Sequence, residues 1–376
     1  MPAEVKVLVT GSAGFIGRNL VARLRADVSL GPTEVLEFDR ETNADRLDEY
    51  AALADFIFHL AGVNRPVDPA EFTEGNVDLT TRLLETLRSS GPKPVLLSSS
   101  AQASLENPYG ESKRYAEEAV ARYAAETGAE VFIYRLPGVF GKWSRPNYNS
   151  VVATFCHNVA RDLPIQVNDS GAVLPLVYID DVVDEFIAAL KGAAARVDGL
   201  RCSVPVVHEV ALRRIAELLH DFRAHHETLA VPDSSDAFQR KLYATYLSYL
   251  PEDGFSYPLA MHTDERGSFT EIIRTPDRGQ FSVNVIRPGI TKGNHWHDTK
   301  NEKFLVVSGH GVIRLRRIDG EDAIAYPVSE EELRVVDIPP GYTHNIENLG
   351  LTDMVVFMWA SEAFDYEKPD TYASDV

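Results

Sequence analysis

The sequence predicts an α/β doubly wound parallel sheet followed by an all-β barrel. Three observations predict it. Residues 1–200 alternate short apolar runs with helical stretches, the signature of strand–helix–strand crossovers. A glycine-rich turn, Gly11-Ser-Ala-Gly14-Phe-Ile-Gly17, sits directly between the first apolar run and the first helical stretch. From Phe255 onward only short β-rich segments with Gly and Pro turns remain, which suits a sandwich or barrel.

Val5–Thr10 reads as the first strand, and Ile16–Ala26 is amphipathic at helical spacing. Further strands are expected at Glu34–Asp39, Asp55–Leu60, Pro94–Ser98 and Val131–Arg135, with helices at Thr80–Ser89 and Ser112–Glu126. Consecutive crossovers of this kind are right-handed and give a parallel sheet. After about residue 228 the pattern changes. Val231-Pro-Asp-Ser-Ser-Asp236 is a breaker cluster, Leu242–Leu250 a helix, and Pro251-Glu-Asp-Gly254 a turn. Strands follow at Phe269–Ile273, Phe281–Ile286, Glu302–Ser308, Gly311–Arg316, Leu333–Ile338 and Met354–Trp359. This places a domain boundary near 250, separating 1–250 from 251–376. No internal repeat is visible.

Composition narrows the function. Among 376 residues, 56 Asp and Glu outweigh 37 Lys and Arg, for a net charge of -19, and both halves share the excess. Nucleic acid and anionic membranes are poor partners on that ground. Two cysteines without a Cys-x-x-Cys pair fit a reducing compartment. No apolar run approaches the ~20 residues that span a bilayer, and the N-terminus carries no signal-peptide pattern. The expectation is a soluble cytoplasmic protein.

The glycine turn lets the backbone pass close to a pyrophosphate, while the following helix offers its N-terminal amides to the phosphates. Gly11, Ala13, Gly14, Phe15, Ile16 and Gly17 are therefore candidate cofactor residues. Asp39, at a strand end, can accept hydrogen bonds from a ribose 2′-hydroxyl, whereas Arg40 beside it can take a 2′-phosphate. The two argue for opposite cofactors. Tyr109-x-x-x-Lys113 places a phenol and an ammonium one helical turn apart. Hydride delivery to a carbonyl leaves an alkoxide that needs a proton, and a nearby ammonium lowers a phenol toward the required acidity. Ser100, or Ser99 if the strand end shifts by one, would bind the carbonyl oxygen.

These segments resemble the extended, nucleotide-sugar branch of the short-chain dehydrogenase/reductases over residues 4–245. His59-Leu-Ala-Gly62, Ser98-Ser-Ser100, Tyr134-Arg-Leu-Pro-Gly-Val-Phe-Gly141 and Tyr178-Ile-Asp-Asp181 carry the resemblance further. It implies Leu60, Ala61, Gly62, Lys113 and Arg135 at the cofactor, Asn64, Arg65 and Asn147 at the substrate, and Ser100, Tyr109 and Lys113 as the catalytic group. Ala101-Gln102 stands where the 4,6-dehydratases of this branch carry Asp-Glu. Elimination chemistry is thereby disfavoured against reduction or 4-epimerisation.

In the second half, His295-x-His297-x4-Glu302 and His344 form a metal-ligand pattern suited to Zn²⁺, Fe²⁺, Mn²⁺ or Ni²⁺. The two segments are similar to the two cupin motifs, except that Leu333 stands where the second motif opens with glycine. Asp264-Glu-Arg-Gly-Ser-Phe-Thr-Glu271 resembles the opening of the nucleotide-sugar 3,5-epimerases, which implies that Arg266 meets nucleotide phosphates.

A sugar 4-ketone links both halves. Its C3 proton is acidic because the carbanion delocalises into the C4 carbonyl, and reduction at C4 ends that acidity. Epimerisation must precede reduction. His297, Lys292, Lys303 and Tyr342 are candidate bases by position. With Asn147-Tyr-Asn-Ser-Val151, Leu247-Ser-Tyr-Leu-Pro251 and Asn301–Gly309, the domain order resembles a family of bifunctional capsular-polysaccharide enzymes that fuse such a reductase to a cupin. The resemblance implies a homodimer, one Zn²⁺, and NADPH with NADH as the alternative. It implies a UDP-linked 4-keto-6-deoxy amino sugar as substrate and UDP-2-acetamido-2,6-dideoxy-L-talose as product, on the route to UDP-N-acetyl-L-fucosamine. Two rival readings stand beside it: a lone reductase with a cupin binding or dimerisation module, and an NAD-dependent 4-epimerase with an unrelated cupin.

Overall fold

The structure is a computed structural model describing residues 4–376 other than 65, 67, 69–71, 168, 170, 276, 366 and 368. It divides into two compact units, Met1–Leu219 with Lys241–Leu250, and His220–Arg240 with Pro251–Val376.

The first unit is built on β1 (Val5–Thr10), β2 (Thr33–Phe38), β3 (Phe56–His59), β4 (Val95–Ser100), β5 (Val131–Leu136) and, after two strands of another sheet, β8 (Arg201–Cys202). β6 (Gly138–Phe140), β7 (Val173–Tyr178) and β9 (His208–Ala211) make a separate three-stranded sheet. The main sheet runs in the order β2-β1-β3-β4-β5-β8, and all its pairings are parallel. Its strands are apolar on both faces because helices cover both. Val7 and Val9 of β1 enter one core with Phe58, Phe132 and Phe186, while Leu8 enters the other with Leu47, Leu83 and Tyr123. The chain leaves β1 toward β2 on one side and returns as β3 on the other. That reversal opens the crevice at the strand ends where α/β sheets bind ligands.

The expected helix at Ser112–Glu126 begins earlier, at Pro108, and runs to Thr127. Asn107 caps it, its side chain accepting from the Gly110 amide at 2.8 Å, and Pro108 occupies the first turn. Tyr109 consequently lies within the helix, on the same rigid element as Lys113.

The second unit is antiparallel. One six-stranded sheet contains β10 (Met261–Asp264), β11 (Gly267–Thr275), β12 (Gly279–Ile286), β14 (Glu302–Ser308), β17 (Val335–Ile338) and β19 (Met354–Ala360). A five-stranded sheet contains β13 (Thr291–Trp296), β15 (His310–Arg317), β16 (Ala323–Ser329), β18 (Tyr342–Asn348) and β20 (Tyr372–Ala373). Ile286, Phe304, Val306, Ile313, Ile346, Met354 and Val356 fill the core of this cupin-like barrel. The segment expected as a strand from Leu333 pairs only from Val335, on the sheet's edge. Among the described residues no helix is long and apolar enough to cross a membrane.

Candidate functional site

In the first unit, Gly11 follows β1 with φ +71°, and an added Cβ would lie 2.7 Å from the Ala61 amide nitrogen. A Cβ on Gly17 would strike the Gly11 carbonyl oxygen. The turn is therefore closed to side chains where the backbone folds over the end of β1. Gly14 is the N-cap of the helix Phe15–Ala26, with no side-chain cap and no acidic residue in its first turn. Its N-terminal amides, from Phe15 and Ile16 on, are left for an anion. The Asp39 carboxylate accepts from the Ala13 amide at 2.9 Å and the Arg40 amide at 2.7 Å. It braces the turn against the end of β2, while the Arg40 side chain is exposed.

Leu60, Ala61 and Gly62 leave β3 opposite this turn. His59 is fully enclosed between Thr10 and Thr80 hydroxyls, each at 2.8 Å, and burial lowers its pKa to about 3. It is a neutral latch between β3 and the following helix. Gly62 lies against Asn76 and Lys113, and a Cβ there would meet Asn76 Oδ1 at 2.9 Å and Lys113 Nζ at 3.0 Å. Asn64 keeps a buried Oδ1 without a hydrogen-bond partner. Arg65 lies outside the described residues.

The serine alternative resolves in geometry. Ser99 is buried and donates its hydroxyl to Glu117. Ser100, at the end of β4, faces Tyr109, and its hydrogen bond favours the phenolate. The Tyr109 pKa nonetheless stands above 10.0, because burial outweighs that bond. The expected lowering by Lys113 is not present in this arrangement. The Lys113 ammonium donates to the Ser98 carbonyl at 3.1 Å and stands 6.0 Å from the centre of the Tyr109 ring. Burial brings the Lys113 pKa from 10.5 down to about 8, with the Glu117 charge opposing.

Arg135 does not reach toward the cofactor turn. Its guanidinium is forked onto Glu117, Nε to Oε1 at 2.9 Å and Nη2 to Oε2 at 2.6 Å. Asn147 has φ +54° and an exposed side chain, and its amide donates to Thr154 Oγ1 at 2.9 Å. The same loop supplies Tyr148, whose proximity raises the Tyr109 pKa further. Sequence reasoning missed Asn76, Glu117 and Phe72, whose ring lies 5.9 Å from that of Tyr109. Asn76 clamps Val63 through both amide atoms, at 2.7 and 3.0 Å, and donates to Ser112 at 2.9 Å.

In the second unit, His295, His297, Glu302 and His344 converge, with one candidate ligand atom from each within 4.8 Å of all the others. β13 and β18 pair His295 directly with His344, and Glu302 opens β14. A bulge between Gly293 and His295 shifts the strand's phase. Gly293, at φ +108°, is needed there, since a Cβ would lie 2.7 Å from the His344 carbonyl oxygen.

Glu302 Oε2 stands 3.4 Å from His297 Nε2 and 3.3 Å from His344 Nε2. Burial works against ionisation of Glu302, yet the two imidazoles hold its carboxyl well below the usual range. Burial and the neighbouring His344 lower the His295 pKa to about 4. His297 Nε2, Glu302 Oε2 and both His344 ring nitrogens are buried without a hydrogen-bond partner. Buried polar atoms left unpaired are costly, and His297 Nε2, Glu302 Oε2 and one His344 nitrogen, with a nitrogen of His295 as the fourth donor, are what a tetrahedral N/O-ligated cation satisfies. The residues fit the metal.

The four candidate bases separate. His297 Nδ1 meets the Asp370 carbonyl while Nε2 faces the cluster, so both of its nitrogens are committed. Lys303 is half exposed and ion-paired with Asp337. Lys292 pairs opposite Ile346, a core residue two positions from His344, which turns it to the barrel interior. There it donates to Asn284 Oδ1 at 2.7 Å. Tyr342, also two positions from His344, packs on the core edge. Arg266 is exposed and forked onto Asp264 at 2.6 and 2.9 Å.

A glycine turn at the reversal of a parallel sheet, facing Ser100, Tyr109 and Lys113, defines an extended short-chain dehydrogenase/reductase, here joined to a cupin-like domain. Comparison with known proteins agrees. Residues 7–200 match the model of the NAD dependent epimerase/dehydratase family, and residues 262–372 that of the polysaccharide biosynthesis C-terminal domain. The chain is 48% identical over 373 residues to a UDP-2-acetamido-2,6-beta-L-arabino-hexul-4-ose reductase of Pseudomonas aeruginosa, covering 99% of both chains. The crystal structure of the capsular polysaccharide assembling protein CapF from Staphylococcus aureus superposes with TM-score 0.92 at 50% identity, covering 99% of this chain and 100% of that one. The Thermus thermophilus UDP-glucose 4-epimerase in complex with NAD, at TM-score 0.52 and 21% identity over 65% of this chain and 99% of its own, shares the fold. The chain belongs to the NAD dependent epimerase/dehydratase family, on the branch that carries a C-terminal polysaccharide-biosynthesis domain.

Proposed function

We propose that this chain is a bifunctional nucleotide-sugar enzyme of capsular polysaccharide biosynthesis. Residues 251–376 epimerise C3 of a UDP-2-acetamido-2,6-dideoxy-4-hexulose, and residues 1–250 then reduce C4 to give UDP-2-acetamido-2,6-dideoxy-L-talose. The observation that carries the reading is the presence on one chain of two clusters whose chemistry suits a ketone, Ser100–Tyr109–Lys113 and His295–His297–Glu302–His344. The relative named as a UDP-hexul-4-ose reductase supports the same substrate class.

Gly11, Gly14 and Gly17 cradle the pyrophosphate against the helix N-terminus, and Leu60–Gly62 wall the dinucleotide. NADPH bound there supplies the hydride. Arg40 favours NADPH over NADH, because Asp39 is occupied in bracing the turn and the exposed guanidinium stands beside it. Ser100 orients the C4 oxygen, and Tyr109 gives it the proton. Lys113 holds the positive charge beside the phenol and the nicotinamide ribose once it swings from the Ser98 carbonyl.

In the barrel, His295, His297, Glu302 and His344 hold one divalent cation, Zn²⁺ by the ligand set. Such a cation supplies Lewis acidity toward a carbonyl oxygen. Lys292 and Tyr342 are the candidates for moving the C3 proton, since His297 and Lys303 are committed elsewhere. Asn64, Arg65, Asn147 and Arg266 are proposed substrate contacts, the homodimer the proposed assembly and the cytoplasm the proposed location.

The test supplies the UDP-linked 4-hexulose with NADPH and follows absorbance loss and product configuration. One NADPH consumed per sugar, with an inverted C3 and a new C4 hydroxyl, is expected. Absence of NADPH oxidation overturns the reductase assignment.

A further inference from the structure

We infer that Asp370, near the C-terminus, is a positioning residue for the metal centre, acting through the turn that joins two of its ligands. The inference rests on the metal reading above. His297 closes one side of that turn and Glu302 opens the other, with 298–301 between them. The Asp370 carboxylate gathers three of the four amides of the turn, the Asn301 amide going to Ser361 Oγ. One oxygen accepts from Asp298 N–H at 2.8 Å, and the other from Thr299 N–H at 2.9 Å and Lys300 N–H at 2.8 Å. The Thr299 hydroxyl adds a fourth bond at 3.1 Å. Bonds from several amides to one carboxylate are of the stronger, charge-assisted kind. They fix how far apart His297 and Glu302 stand.

The same residue sets the tautomer of a ligand. Its backbone carbonyl meets His297 Nδ1 at 2.5 Å. A carbonyl can only accept, so Nδ1 carries the hydrogen and Nε2 presents its lone pair to the cluster. The contact depends on the side chain, because the carboxylate anchors the segment that carries the carbonyl. The residues after Asp370 tie the remaining ligands. β20 pairs with β13 at His295↔Ala373 and Trp296↔Tyr372. The Ser374 carbonyl accepts from Thr343 Oγ1 at 2.5 Å, and the Ser374 amide donates to the Asn294 carbonyl at 3.0 Å. The chain end from Asp370 thus clasps the strands that carry His295 and His344 as well as the turn between His297 and Glu302.

The experiment titrates the metal-stripped full chain with Zn²⁺ against a chromophoric chelator, and with Co²⁺ by visible absorption, for wild type, Asp370→Asn and Asp370→Ala. The asparagine variant keeps the shape but turns an amide donor toward a backbone donor. Both variants are expected to bind Zn²⁺ about 10- to 100-fold more weakly, alanine more so, with a changed Co²⁺ spectrum. Unchanged affinity and spectrum in both variants, even with a lowered melting temperature, overturn the inference and leave the metal reading standing. A wild type that takes up neither ion overturns both.

Discussion

Tyr109 is kept as a phenol by its surroundings: burial raises its pKa, and only the Ser100 hydroxyl pulls the other way. A phenol is the form a proton donor needs. Tyr109→Phe keeps the ring and removes the donor, so NADPH oxidation should fall by about 10²- to 10⁴-fold while C3 hydrogen exchange continues. Exchange lost together with reduction would tie Tyr109 to both reactions. Lys113 carries the pH dependence. Its folded pKa, about 8, lies below the ordinary 10.5, because burial penalises the ammonium. The charged form therefore costs stability below about pH 8, and that cost fades as pH rises toward 10.5. Reduction runs the other way, since it uses the ammonium. kcat/KM for NADPH oxidation should decline as pH passes about 8, and a profile flat to pH 10 would contradict the role. The Ser100–Tyr109 contact and the convergence of His295, His297, Glu302 and His344 were legible in the sequence, because short motifs carry these residues. Asn76, Glu117 and Asp370 were not. Each acts through contacts with residues distant in sequence, up to 73 positions away for Asp370 and His297, and no local pattern announces such a partner. Arg135 was assigned to the cofactor by resemblance, and its fork onto Glu117 belongs to the same unseen class.

At the scale of elements, two local devices aim the chemistry. The Asn107 cap with Pro108 starts the helix early enough to include Tyr109, where the sequence pattern alone began it at Ser112. The apolar periodicity starts late, so periodicity misjudged the boundary that the cap decides. Asn107→Ala should cost about 1 kcal/mol of stability in the first unit, read as a lower denaturant midpoint. It should also reduce NADPH oxidation by loosening the first turn. The bulge at Gly293 is the second device. It turns His295 onto the face shared with His344, and it brings the β13 backbone too close to β18 for any side chain. Gly293→Ala should push the strands apart and weaken Zn²⁺ binding, measured by chelator competition, without altering reduction of a ketone already inverted at C3. The strands of the first unit's main sheet that the sequence marked were placed to within two residues. They are apolar on both faces and bounded by turn residues. The edge strands β10 and β20 escaped because they are polar or only two residues long, and β16 escaped because Pro327 interrupts its apolar run.

At the scale of the whole molecule, the proposed function joins two units of different fold through one kind of chemistry. The parallel sheet offers a dinucleotide crevice, and the barrel offers a largely buried cluster of three imidazoles and a carboxylate. A ketone is the group that both can use, and reduction removes the acidity on which epimerisation depends. In the proposed function that fixes an order, barrel first and sheet second. His295→Ala should therefore abolish exchange at C3 while leaving intact the reduction of a substrate supplied with C3 already inverted, the converse of Tyr109→Phe. The most direct test of the account is nuclear magnetic resonance of the UDP-linked 4-hexulose incubated with the metal-loaded enzyme in D2O without NADPH. The account predicts deuterium entering at C3, and its loss when His295 is replaced by alanine. A C3 position that keeps its protium in the presence of the loaded wild-type enzyme would contradict it.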